Sequence, residues 1–233
     1  FISNAFESIL HPDEPAPATI GSLIDESTIE THHVQGLPIK VMTPVDYVIS
    51  SANFPVLYIL HDTDDGQHDE NLISTFSLLR NNMVSGKLTK SIVVEIPVGT
   101  MEISSALMME IVGLIDAGYH SISNRQGRVL LGNEAGGTLA TTLVLDNPQV
   151  FASCYLFNAL LPDVSIGATG EVFYYLDATD ECSSYRGNHQ LYAEIKNENI
   201  DYEYRVRQGS QNYQAFLNGL EGSVSSIKET LMN

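Results

Sequence analysis

Residues 129–145 read VLLGNEAGGTLATTLVL. An apolar run leads into Gly132, Ala135, Gly136 and Gly137, and a helical pattern follows. Small residues so placed let a chain turn sharply from strand to helix and hold one side chain out at the turn. In the G-x-S-x-G form of this turn the held residue is a serine nucleophile. Here it is Glu134. A carboxylate so held could act as a base or as a nucleophile, or occupy the position without reacting.

Three further polar clusters carry groups with chemistry. They are HDTDD at 61–65, DATDEC at 177–182 and RQGSQN at 207–212. Asp62, Asp64, Asp65 and Asp69 make the first stretch rich in oxygen. It lacks the D-x-D-x-D-G-x5-E spacing of a calcium loop and reads as a solvated acidic loop. His61 and His68 lie in or near it, and His189 follows the second cluster. His32 and His33 are expected beside a strand, near the surface. No spacing of His, Cys, Asp and Glu marks a metal site, and none calls for a cofactor.

These groups need elements to position them. FPVLYILHD, KSIVVEIPVG and GRVLLG are apolar runs of strand length, as strands buried on both faces require. FASCYLFNA, EVFYYLDATD and DYEYRVRQG supply three more strands. Between and after them, NLISTFSLLRNNMVSG, SALMMEIVGLIDAGY, TLATTLVLDNP, NHQLYAEIKNEN and NYQAFLNGLEGSVSSIKETLMN read as helices. THHVQGLPIKVMTPVDYV alternates polar and apolar residues, as early antiparallel strands do. Strands alternating with helices predict an α/β fold, a mostly parallel sheet with helices on both faces. In such sheets ligands sit at the carboxyl ends of the strands, where all four polar clusters fall. Residues 1–30, with HPDEPAPA, read as an N-terminal arm or edge element, and 31–233 as the domain.

Composition narrows the classes. The chain has 233 residues, 43% of them hydrophobic, enough for one domain of ordinary size. No apolar run is long enough to span a membrane. Eleven Lys and Arg stand against 29 Asp and Glu, a net charge of −18. That balance argues against nucleic acid and anionic lipid as partners. It leaves a small molecule or another protein. Cys154 and Cys182 form no disulfide framework and read as buried apolar residues. FISNAF carries neither Met nor a signal pattern, so Phe1 reads as a processing boundary, and the compartment stays open between cytoplasm and export.

The order of these motifs resembles the esterase D-like branch of the α/β-hydrolases, which includes S-formylglutathione hydrolases, feruloyl esterases and siderophore esterases. FPVLYILHD is similar to that branch's Y-P-V-L-Y-L-L-H-G, and SIVVEIPVG to its I-V-V-x-P-D-G. The segment from Glu110 to Gly137 resembles E-L-x-P-x-I-D-x-x-Y followed by R-x-x-x-x-G-x-S-x-G-G. NPQVFASCYLFNA, YYLDATDE and YRVRQGSQNYQAF resemble the three segments that follow. The resemblance covers about residues 30–230 and implies the α/β-hydrolase fold. It assigns the nucleophile position to Glu134, the acid to Asp180 and the histidine to Gln211. It assigns the oxyanion hole to Asp62, Thr63 and Ala135, with Asp62 where the branch has glycine. It also implies a structural role for His61, and pairing of Arg125 and Arg128 with loop carboxylates.

Serine hydrolysis needs an alcohol, an imidazole and an orienting acid. Only the acid stands here. Glutamine cannot titrate, and an anion at the turn opposes a developing oxyanion. The expectation is therefore an esterase-like fold without serine-hydrolase activity, kept for binding an ester-like small molecule or a protein. The alternative is an ester hydrolase that uses Glu134 with Asp180.

Overall fold

The alternation of strand and helix closes into an eight-stranded sheet of order β1-β2-β4-β3-β5-β6-β7-β8, in a computed structural model. The structure describes residues 18–62, 68–160 and 172–231. β1 (Ile29–Val34) and β2 (Leu37–Met42) form an antiparallel hairpin. Its turn residues, Gln35 and Gly36, have φ of 51° and 88°, as a two-residue hairpin turn of the primed kind requires. β2 runs antiparallel to β4 (Ile92–Val98). From there β3 (Val56–Asp62), β5 (Arg128–Asn133), β6 (Ser153–Phe157), β7 (Phe173–Thr179) and β8 (Tyr202–Arg207) are all parallel.

Helices cover both faces. Against one lie α1 (His68–Val84) and α5 (Tyr213–Thr230), over Leu57, Ile59, Leu131, Tyr155 and Phe157. Against the other lie α2 (Ser105–Gly118), α3 (Ala135–Asp146) and α4 (Tyr185–Asn197), over Tyr58, Leu60, Leu130, Leu156 and Leu176. Successive strand residues alternate between the two cores, which is why the central strands read as unbroken apolar runs. Tyr174 and Tyr175 are fully buried. Cys154 and Cys182 are free and buried, and burial pushes the Cys154 thiol pKa up, so it remains protonated. Among the described residues no helix is long and apolar enough to cross a membrane.

Several boundaries differ from the sequence reading. α1 begins at His68 rather than Asn71, so Asp69 is a helical residue and not part of the acidic loop. Asp69 and Glu70 in its first turn favour an earlier start, since carboxylates complement a helix N-terminus. α4 begins at Tyr185, three residues before Asn188. β1 starts at Ile29, so His32 and His33 lie within a strand rather than beside one. The described end of the N-terminal segment packs on the domain. Ala18 N–H donates to Asn218 Oδ1 at 2.8 Å, and the buried Ile24 N–H to Ser77 Oγ at 3.0 Å. Asn81 Nδ2 donates to the carbonyls of Ile20 and Ser22 at 2.6 and 2.9 Å. All of HPDEPAPA but its last residue, Ala18, lies outside the described residues.

Candidate active site

Glu134 sits between β5 and α3 with φ 51° and ψ −115°. An L residue there carries strain of about 1–3 kcal/mol, which the surroundings must impose. The surroundings are the small residues. A Cβ on Gly132 would collide with the carbonyl of Gly136, and one on Gly136 with the carbonyl of Leu60. A Cβ on Gly137 would lie 2.5 Å from that of Ala159. So β3, β5 and α3 meet backbone to backbone, Ala159 beyond β6 packs against them, and the turn has no room to relax. Glu134 N–H donates to the carbonyl of Phe157 at 2.9 Å. Its own carbonyl accepts from the N–H groups of Gly137 and Thr138 at 3.0 and 3.2 Å. The side chain is half-buried and does not cap the helix. Among the described residues no hydrogen bond reaches its carboxylate.

Asp180 and Gln211 stand on two loops tied to each other. Asp180 Oδ1 accepts from Gly209 N–H at 2.8 Å, and Asp180 N–H donates to the carbonyl of Arg207 at 2.8 Å. Glu181 N–H donates to the carbonyl of Gly209 at 3.2 Å, and Ser210 Oγ to Glu181 Oε2 at 2.7 Å. Gln211 is half-buried, two residues beyond Gly209. β5, β7 and β8 are parallel, so the residues that follow them all leave the same edge of the sheet. No hydrogen bond joins Glu134 to Asp180 or Gln211.

The oxyanion-hole positions are partly described. Ala135 opens α3, and its N–H, like others of a first helical turn, has no intrahelical acceptor. Asp62 ends β3 and is half-buried. Thr63, Asp64 and Asp65 lie outside the described residues, as does the side chain of His68. Asp69 pairs with Lys40 at 2.8 Å. Among the described residues no group of His, Cys, Asp and Glu is arranged to hold a metal ion.

Beneath this edge His61 is buried, with Nδ1 4.0 Å from Glu95 Oε1 and its ring stacked on Tyr213 at 6.2 Å. Both contacts suit the structural role expected of it. His189 is exposed on α4 among Tyr185, Tyr192 and Tyr204. Arg128 pairs with Asp116, and Arg125 Nε donates to the carbonyl of Phe151 at 3.0 Å. The sequence reading placed Asp177 and Arg207 in polar clusters without pairing them, and it did not single out Asn158. Asp177 and Arg207 form a buried pair across β7 and β8, with Nε 2.9 Å from both carboxylate oxygens. Asn158, buried at φ 47°, accepts from Thr179 N–H at 2.8 Å and so ties the end of β6 to the Asp180 loop. Their only sequence signal is polarity at the end of an apolar strand.

Known proteins agree with this geometry at the level of fold. No protein-family model and no curated protein sequence matches the chain. Among solved structures, a ferulic acid esterase superposes with a TM-score of 0.74 at 17% identity, covering 87% of this chain and 97% of its own. The enterobactin esterase FES from Shigella flexneri gives 0.77 at 16% identity, covering 94% of this chain and 64% of that one. The S-formylglutathione hydrolase FrmB from Staphylococcus aureus gives 0.67 at 13%, covering 88% and 98%. The chain has the α/β-hydrolase fold. Its form is the one these esterases share.

Proposed function

We propose that this chain is an esterase-fold protein that binds an ester-like small molecule and does not hydrolyse it. In this reading Glu134, Asp180 and Gln211 are the triad positions, and Asp62, Thr63 and Ala135 the oxyanion-hole positions. The observation that carries it is the strained turn that holds a carboxylate where the esterase turn holds serine. A carboxylate at this turn opposes by like charge the oxyanion that a first-turn N–H such as that of Ala135 would stabilise, an interaction worth about 3–4 kcal/mol per donor. Gln211 offers no proton acceptor able to turn over. Asp180, with no imidazole at position 211 to orient, accepts a backbone N–H and braces the loop instead.

The neighbouring esterases are described with ferulic acid, sinapinate and enterobactin. By analogy with these neighbours, the ligand class we infer for this site is a hydroxylated aromatic acid in ester or amide form. A free carboxylate would meet Glu134 with like charge.

The test is turnover of nitrophenyl acetate and methyl ferulate by the purified chain. Expected rates stay within about 10³–10⁴ of uncatalysed hydrolysis, the residue left when a triad is absent. Ester turnover near 1 s⁻¹ that Glu134→Ala abolishes would overturn this reading in favour of a carboxylate mechanism.

A further inference from the structure

Among the described residues β1 is an edge of the sheet and pairs only with β2. The two-residue turn makes Val34 and Leu37 a hydrogen-bonded pair, so Val34, His32 and Glu30 direct their backbone groups at β2. Ile29, Thr31 and His33 therefore direct theirs outward. The Ile29 N–H closes the preceding turn on the carbonyl of Glu26, and among the described residues no hydrogen bond reaches the outward groups of Thr31 and His33. Thr31 and His33 are exposed. β1 reads IETHHV, without the lysine, proline or glycine that commonly guards an edge. β8, the opposite edge, carries Glu203, Arg205 and Arg207, charges that discourage strand addition.

An open groove lies on each side of this edge. On the α2 side, Glu30 and His32 wall a groove of about 620 Å³ floored by Leu114 and the rings of Tyr47 and Tyr119. On the α1 side, Ile29 and Thr31 wall one of about 210 Å³ that also carries Glu26 and the Lys40–Asp69 ion pair, so its net charge comes from Glu26. A strand added to β1 would send successive side chains alternately to the two sides.

The charges fit one kind of partner. Glu30 Oε2 accepts from the Tyr119 hydroxyl at 2.6 Å, while Oε1 takes no hydrogen bond among the described residues. An arginine in the larger groove would meet that carboxylate over two tyrosine faces. The smaller groove suits a short aliphatic side chain. A second copy of the chain would bring another net charge of −18 against these acidic rims.

We propose that β1 is a docking edge for an extended basic segment of another protein, with arginine at every second position. The inference is independent of whether the elbow site hydrolyses esters.

The test titrates the whole chain by calorimetry at low salt. The probe is a capped peptide of alternating arginine and valine. Its control is the same peptide N-methylated at every residue, which keeps the charge but cannot form a ladder. Saturable binding is expected, weakened at least about tenfold by N-methylation. Thr31→Pro removes an outward N–H without touching the β1–β2 ladder, and should weaken binding about tenfold. Glu30→Gln should weaken it about threefold, and it keeps the test open if Thr31→Pro lowers the melting temperature. Equal binding of the methylated peptide, or no saturable binding, would overturn the proposal. So would a native dimer that Thr31→Pro converts to monomer, since the occupant would then be a second copy.

Discussion

At position 134 the backbone and the side chain give different messages. The backbone keeps the strained geometry of a nucleophile turn, with φ at 51°. The side chain brings an anion, and position 211, which we propose as the base position, brings an amide. If these are the two altered triad positions, restoring both should matter far more than restoring either. Glu134→Ser with Gln211→His should raise nitrophenyl acetate turnover at least about a hundredfold over the parent chain. Each single change should leave it near background, because nucleophile and base act as a unit. Steady-state kinetics on the four proteins checks this. A single Gln211→His variant as active as the double would show that Glu134 itself reacts.

The elements around the turn fit because glycine leaves room where strands and helix meet. Gly136→Ala should destabilise the chain by about 3 kcal/mol, as overpacking against fixed backbone does. Gly113→Ala should instead stabilise it by about 0.5–1 kcal/mol, since position 113 is exposed within α2 with open space around its Cβ. Urea denaturation of both variants checks the contrast, and equal effects would mean the close approach at the elbow is not a constraint. The strands that carry Asp180 and Gln211 depend on the pair at Asp177 and Arg207. Asp177→Asn removes one charge and leaves a buried guanidinium without its counter-ion. The expected loss is about 3–5 kcal/mol, and Asp177→Leu with Arg207→Met should lose less. A double variant less stable than the single would contradict that account.

Over the whole molecule the dominant field is negative. With 29 acidic against 11 basic residues, folding gathers like charge into a smaller volume. Salt should therefore stabilise the chain. The melting temperature is expected to rise by several degrees between about 0.01 M and about 1 M sodium chloride, as screening shortens from about 30 Å to about 3 Å. A flat or falling melting temperature would mean that local ion pairs, such as Lys40–Asp69 and Arg128–Asp116, outweigh the general repulsion.

The sequence by itself determined the parts whose causes are local. Buried parallel strands need unbroken apolar runs, so β3, β4 and β5 were legible in FPVLYILHD, KSIVVEIPVG and GRVLLG. The elbow was legible because its four small residues lie within six positions of one another. What only the tertiary structure decided is which distant residues became neighbours. Nothing near Asp177 in sequence announces Arg207, thirty residues on, as its partner; adjacency of β7 and β8 does. Asp180 finds the N–H of Gly209 for the same reason. The helical place of Asp69 was settled by how α1 starts, and the open rim of β1 by its position at the end of the sheet order. Local propensity acts over a few residues, whereas strand order is set by how all the apolar faces are buried at once.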